Sequence, residues 1–239
     1  MKHKVDNAII MAAGLSSRFT AQSGGIPKGL VRAKGEVLLE RQIRQLLEAE
    51  IPEIYLVLGH KAEDFRYLKD LFPVNFIYNT DYVGRNNNGS IYAARNILRN
   101  SYICSADNYF VENPFEQELE GSYYAAVYAD GETEEWCLAL DEDDYITGVT
   151  IGGSKSWYMM GHVYWDEDFS RRFMAILEEE YHLEKTRPLH WEAIYMEHLD
   201  TLKMKARKYP AGVIYEFDTV DDLCAFDPDY QKPEKPSAE

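Results

Sequence analysis

The chain has 239 residues, 46% of them hydrophobic and 28% charged, and its formal net charge is −16. That composition is near the globular average and excludes a disordered chain, and no apolar run approaches the roughly 18 residues of a membrane span. So large an acidic excess also excludes a general nucleic-acid binder, whose affinity comes from basic groups on phosphates. Three cysteines, Cys104, Cys137 and Cys224, without a Cys-x-x-Cys pair, fit neither a disulfide framework nor a zinc ribbon. With no signal-like start, a cytoplasmic protein without membrane insertion is expected. The length points to one large α/β domain over 1–226. A Pro-, Lys- and Glu-rich tail, 227–239, is expected to be disordered. Charge is unevenly spread: the first 50 residues carry eight basic and five acidic side chains, the remainder 17 and 36. Such a split suits an anionic ligand at one end and a cation at the other, while acidity alone also serves solubility.

In chain order, 7–13 is a short apolar run ending at Gly14 and predicts a buried strand. Residues 15–35 read as a glycine-rich loop, and 36–50 as a helix with Val37, Leu38, Ile43, Leu46 and Leu47 on one face. Strands follow at 54–58, 74–78 and 102–106, separated by helical patterns at 61–71 and 90–98. This alternation implies a parallel sheet covered on both faces. Beyond residue 110 the pattern changes to strand-like runs at 123–129, 136–140, 145–151 and 157–164, joined by acidic or glycine turns. These would extend the sheet in mixed or antiparallel fashion. Helices are expected at 167–180, 190–200 and 219–226, with a last strand at 213–217.

A glycine-containing loop after the first strand of an α/β protein is a natural phosphate cradle, because its backbone N–H groups can face an anion at close range. Here it runs Ala12-Ala13-Gly14-Leu15, continues to Arg18, and later reaches Pro27-Lys28. It matches neither Gly-x-Gly-x-x-Gly nor the P-loop, which weakens dehydrogenase and ATPase readings. Arg18 and Lys28 supply two cations of the kind that stabilises a leaving pyrophosphate, although each alone also reads as an ordinary surface charge.

The pattern Ala12-Ala13-Gly14-Leu15-x-Ser17-Arg18 followed by Pro27-Lys28 resembles the signature of nucleotidyltransferases that join a nucleoside monophosphate to a phosphorylated small molecule. Asn79-x-x-Tyr82, Asn86-Asn87, Ser90, Asp107-Asn108-Tyr109, Thr133-x-Glu135-Trp136, Trp191 and Tyr215-Glu216-x-Asp218 narrow the resemblance. It is to the bacterial CTP:phosphocholine cytidylyltransferases of the choline-incorporation pathway, over about residues 7–226. The resemblance implies a Rossmann-like nucleotidyltransferase fold with a mixed central sheet flanked by helices. It also implies transfer of CMP from CTP to phosphocholine, giving CDP-choline and pyrophosphate, with Mg2+ as cofactor. The stretch 20–26 is small and uncharged where relatives commonly carry proline and charges, which implies a loop that is mobile before nucleotide binds.

For the site, the resemblance assigns Ala12, Ala13, Gly14, Leu15, Asn86, Ser90 and Asp107 to the nucleotide. It assigns Arg18 and Lys28 to catalysis, and Asp107, Glu216 and Asp218 to the metal. Trp136, Trp191 and Glu192 go to the substrate's cation, since a quaternary ammonium is held over aromatic faces near carboxylates. On residue chemistry alone each has a plainer reading. Asp107-Asn108 could cap a turn, Glu216 and Asp218 could be a solvated strand face, Asn86–Ser90 could simply open a helix, and the tryptophans could be core. Three rival functions stand beside the main one. They are the same transfer to 2-aminoethylphosphonate or phosphoethanolamine, a sugar-1-phosphate nucleotidyltransferase, and a catalytically silent nucleotide-binding module.

Overall fold

The computed structural model describes residues 2–16, 19 and 22–230. Its centre is a seven-stranded sheet. The parallel half consists of β1 (Asn7–Ala12), β2 (Ile54–Leu58), β3 (Val74–Tyr78) and β4 (Ser101–Ser105). In register, Ile10 lies between Leu56 and Cys104, and Leu56 beside Phe76. Alternate residues of β1 are apolar on both sides, as a doubly covered sheet demands. Ala8 and Ile10 join Leu39, Ile43 and Leu46 of α1 (Leu38–Glu48) on one face, and Ile9 joins Val57 and Ala94 on the other. Further helices among the described residues include α2 (Asn88–Ala93), α3 (Glu167–Glu180), α4 (Trp191–Glu197) and α5 (Val220–Phe226). No helix among the described residues is long and apolar enough to cross a membrane.

The expected helix over 61–71 is a 3-10 turn, Ala62–Phe65, and a single short α-turn, Leu68–Leu71. The left-handed φ of 51° at Lys61 marks a tight entry that precludes an α-helical start there. A short strand β5 (Asn108–Phe110), not foreseen from the pattern, pairs antiparallel with β9 (Ile214–Glu216), setting Asn108 opposite Glu216.

The four strand-like runs between 123 and 164 are two long strands, β6 (Tyr123–Leu140) and β7 (Ile146–Trp165). Their antiparallel pairing runs from Tyr123–Tyr164 to Leu140–Ile146 through several register shifts. Cys137 aligns with both Thr150 and Tyr158, so the outer half of the hairpin curls back on the inner half. The glycines and acids that look like turns in the sequence are bends inside continuous strands, where an irregular register sharpens the twist. The tip is fastened by backbone bonds from Ile146 N–H to the Met204 carbonyl (2.9 Å) and from Ala206 N–H to the Asp144 carbonyl (2.8 Å). β8 (Lys205–Tyr209) closes this edge parallel to β6, giving the order β8-β6-β7-β4-β1-β2-β3.

Residues 227–230, expected to begin the disordered tail, are ordered against the body. Asp227 accepts the Lys34 N–H at 2.5 Å, and Tyr230 packs on the cluster around Phe217. The rest of that tail lies outside the described residues.

His162 of β7 is fully buried among Tyr102, Phe110, Phe115, Tyr123 and Tyr209, with Nε2 3.0 Å from the Tyr123 hydroxyl. Burial, with Arg207 nearby, pushes its imidazole down to about 3 from 6.5. The unfolded chain therefore takes up a proton that the fold refuses. The stability linked to this group is complete above 6.5 and drains away as pH falls toward 3. Thermal midpoints of the wild type should fall more steeply over that window than those of His162→Phe; parallel curves would contradict the assignment.

Candidate active site

The site lies beyond the carboxyl ends of the parallel strands, where open α/β sheets hold ligands. Helix α1 fixes the segment that carries Asp107. Gln42 Nε2 donates to the Ser105 carbonyl (3.0 Å), Gln45 Nε2 to the Phe110 carbonyl (3.0 Å), and Arg41 to the carbonyls of Phe110 and Val111. Polar residues on the buried face of α1 thus satisfy backbone groups that the end of β4 leaves open. From the other side, Asp218 stands between Phe217, buried in an apolar cluster, and Thr219. Thr219 opens α5 with a reciprocal capping box to Asp222.

Lys28 enters from the loop after β1, in a 3-10 turn led by Pro27. Gly29 permits its approach, since a Cβ there would stand 3.0 Å from the Ala106 Cβ and 3.3 Å from the Ala106 carbonyl. The Lys28 ammonium reaches Asp107 Oδ2 and Asp218 Oδ1, both at 2.7 Å. Burial alone would lower its pKa, but Asp107, by charge and hydrogen bond, and then Asp218 hold it well above the usual range. Lys28 therefore stays cationic at every pH at which the fold is expected to work.

Carboxylate oxygens of Asp107, Glu216 and Asp218 lie within 4.8 Å of one another. Desolvation in the cleft, then repulsion from Asp107 and Asp218, push the Glu216 carboxyl up to about 8, against the pull of Lys28. One ammonium does not fully neutralise the cluster. Asp107 Oδ1 is also buried without a hydrogen-bond partner. An all-oxygen donor set with an orphaned carboxylate oxygen and excess negative charge fits a hard divalent cation.

A cavity of about 730 Å³ opens beside this cluster. Ala12, Ala13, Gly14, Leu15, Lys28, Asn86, Ser90 and Asp107 all line it, so the structure brings the expected nucleotide residues together. A Cβ at Gly14 would meet nothing within 4 Å, so the loop leaves open space there. Arg18 lies outside the described residues. The Asn86 amide is spent on backbone groups: Nδ2 donates to the Pro188 carbonyl of a distant segment (3.1 Å), and Oδ1 accepts the Asn87 N–H (2.7 Å). Ser90 Oγ accepts from Asn79 Nδ2 at 3.3 Å.

The aromatic assignments divide. Trp136, half-buried on β6, meets His190 edge-on at 5.9 Å, and His190 precedes α4, which carries Glu192. Glu192 accepts from the Tyr124 hydroxyl at 3.2 Å and from Asn87 Nδ2 at 3.1 Å. Burial, and then the carboxylates of Glu192, Glu216 and Glu135, push the Tyr124 phenol up. The Trp191 ring points the other way. It is 1% exposed and packs against Tyr124, Trp165 and Phe173. A cation needs an accessible ring face, and the Trp191 ring, expected at the substrate's cation, is enclosed by these neighbours.

The MobA-like NTP transferase domain matches residues 8–208. The chain belongs to this family. Among MobA-like relatives, the choline-phosphate cytidylyltransferase of Streptococcus pneumoniae is 31% identical over 90% of this chain and 94% of its own length. The 2-aminoethylphosphonate cytidylyltransferase of Lancefieldella rimae is 32% identical over 94% and 93%. The solved structure of CTP:phosphocholine cytidylyltransferase from Streptococcus pneumoniae superposes with a TM-score of 0.89 at 30% identity, covering 95% of this chain and 99% of that one. The fold is therefore the Rossmann-like nucleotidyltransferase fold with a mixed sheet, and the protein is a nucleotidyltransferase.

Within this MobA-like frame, sequence reasoning passed over Arg85 and Arg187, two further cations on the cavity wall, and Tyr124. Arg85 is buried against the Tyr181 ring, 3.7 Å from its centre. None of the three carries a spacing signal; only the chain's path through space reveals them.

Proposed function

We propose that this protein transfers CMP from CTP to phosphocholine, forming CDP-choline and releasing pyrophosphate, with Mg2+ as its metal and the cytoplasm as its location. The observation that carries the reading is the junction of two unlike half-sites. Asn87 lines the cavity that contains Lys28 and Asp107, and its amide donates to Glu192, two residues after the His190 that Trp136 meets edge-on. One half suits a triphosphate, the other an organic cation. The relative from Streptococcus pneumoniae and its solved structure support the same reading.

A phosphocholine phosphate oxygen attacks the α-phosphorus of CTP in line. The new P–O bond forms as the bond from the α-phosphorus to its bridging oxygen breaks, and that oxygen leaves with the pyrophosphate. The attacking oxygen is already ionised at neutral pH, so no side chain needs to remove a proton. Catalysis is then positioning and charge neutralisation. Asp107, Glu216 and Asp218 would hold Mg2+, which when bound supplies charge neutralisation at the phosphates. Lys28, joined by Arg18, balances the charge that builds on pyrophosphate. Backbone N–H groups of Ala12–Leu15 face the nucleotide, and Ser90 and the Asn86 loop wall bound the base. Trp136 and Glu192 receive the trimethylammonium group.

The same transfer to 2-aminoethylphosphonate is the second reading, favoured by the relative from Lancefieldella rimae. Pyrophosphate release is the test. It should require CTP, phosphocholine and Mg2+ together, and UTP should support it far more slowly, because a wrong base leaves buried polar groups unpaired. Equal rates with UTP and CTP would sink the base assignment.

A further inference from the structure

Asn87 occupies the N-cap position of α2, yet its side chain makes no capping bond there. An asparagine at that position ordinarily accepts an N–H of its own helix. Here the amide turns outward to a segment more than 100 residues away. Oδ1 accepts the Trp191 N–H at 2.7 Å, and Nδ2 donates to Glu192 Oε2 at 3.1 Å. Both ends of one amide thus grip consecutive residues at the start of α4, where helix N–H groups lack partners. The other carboxylate oxygen of Glu192 accepts from the Tyr124 hydroxyl at 3.2 Å. Tyr124 is itself immobilised, with its ring stacked on buried Trp191 at 5.8 Å and 15°. The two carboxylate oxygens therefore each have a donor fixed by a different element, β6 on one side and the loop before α2 on the other.

We infer that Asn87 and Tyr124 are positioning residues that fix the Glu192 carboxylate for the cationic end of the acceptor, and so set acceptor affinity without touching the acceptor. The inference rests on the reading that Glu192 receives that cation. A carboxylate free to rotate would lose orientational freedom on binding; one held by two donors has already lost it. The donors also favour the ionised form, which burial in the recess opposes.

Tyr124→Phe removes one donor and keeps the ring on Trp191. Its KM for phosphocholine should rise about 3- to 10-fold, the scale of one hydrogen bond to the carboxylate. KM for CTP and kcat should stay within about twofold. In a Glu192→Gln background the same change should have almost no further effect on the phosphocholine KM, because Tyr124 acts through Glu192; this non-additivity is what a merely structural role would not produce. Asn87→Asp keeps the acceptor for the Trp191 N–H but replaces the donor to Glu192, and it should raise the phosphocholine KM while the melting temperature holds. If Glu192→Gln raises the phosphocholine KM but Tyr124→Phe and Asn87→Asp do not, the positioning inference is overturned and the acceptor reading stands. Additive effects of Tyr124→Phe and Glu192→Gln would overturn it equally. If Glu192→Gln itself binds phosphocholine normally, the acceptor reading fails and takes the inference with it.

Discussion

Asp107→Asn and Asp218→Asn are expected to lower turnover at least about 100- to 1000-fold, the usual loss when one group aimed at developing charge is removed. Each change is nearly isosteric and removes a charge without removing bulk. In the resting protein both carboxylates hold the Lys28 ammonium at 2.7 Å, and Asp107 also keeps a buried oxygen with no partner. That unmet oxygen marks Asp107 as the member with an unfilled role, so its variant should be the more damaged in activity. Stability should separate the two in the same order. The Asp218 side chain is 60% exposed against 15% for Asp107, and an exposed ion pair contributes little to folding. Turnover at saturating CTP and Mg2+, measured beside the melting temperature, checks both statements. Near-normal turnover in both variants would place the metal elsewhere.

Trp191→Ala is expected to destabilise the fold by about 3–5 kcal/mol, whereas Trp136→Ala should raise the phosphocholine KM roughly 3- to 30-fold with stability little changed. The contrast follows from burial. The Trp191 ring is enclosed by Tyr124, Trp165 and Phe173, so its loss leaves a large cavity in the apolar core between the sheet and α3. Trp136 is only half-buried and lies edge-on against His190, two residues before Glu192. Chemical denaturation and acceptor titrations on the two variants distinguish the roles. A Trp191→Ala protein with wild-type stability and a raised phosphocholine KM would return that ring to the acceptor.

These two tryptophans also show where the sequence stops being legible. Both stand next to acidic residues, and nothing in spacing distinguishes a ring turned toward a ligand from one turned into the core. The parallel strands of the first half were readable because each has one signal, whereas the turns over 61–71 read as a helix. The run 54–58 is a strand with four of its five residues buried, and the helix over 167–180 has its cap at Asp166 and an unbroken apolar stripe. The long hairpin was not readable as two strands, because Gly152-Gly153 and the acids near Asp130 are chemically the same whether they end a strand or bend one. β5 was hidden because three residues carry no periodicity, although its pairing with β9 is what brings Glu216 beside Asp107. Lys28, Asp107, Glu216 and Asp218 were legible as a set through their resemblance to the family's motifs. Asn87 and Tyr124 were not, since their roles are hydrogen bonds to a residue more than 60 positions away.

The acceptor is the centre of the account, and the most direct measurement is the rate of pyrophosphate release from CTP with phosphocholine and with 2-aminoethylphosphonate supplied separately to the wild-type protein. Trimethylammonium has no N–H donor and gains chiefly from a ring face and a fixed carboxylate, the roles proposed for Trp136 and Glu192. The kcat/KM for phosphocholine should be at least about tenfold higher, equivalent to about 1.4 kcal/mol of discrimination. A preference for the primary amine would contradict it.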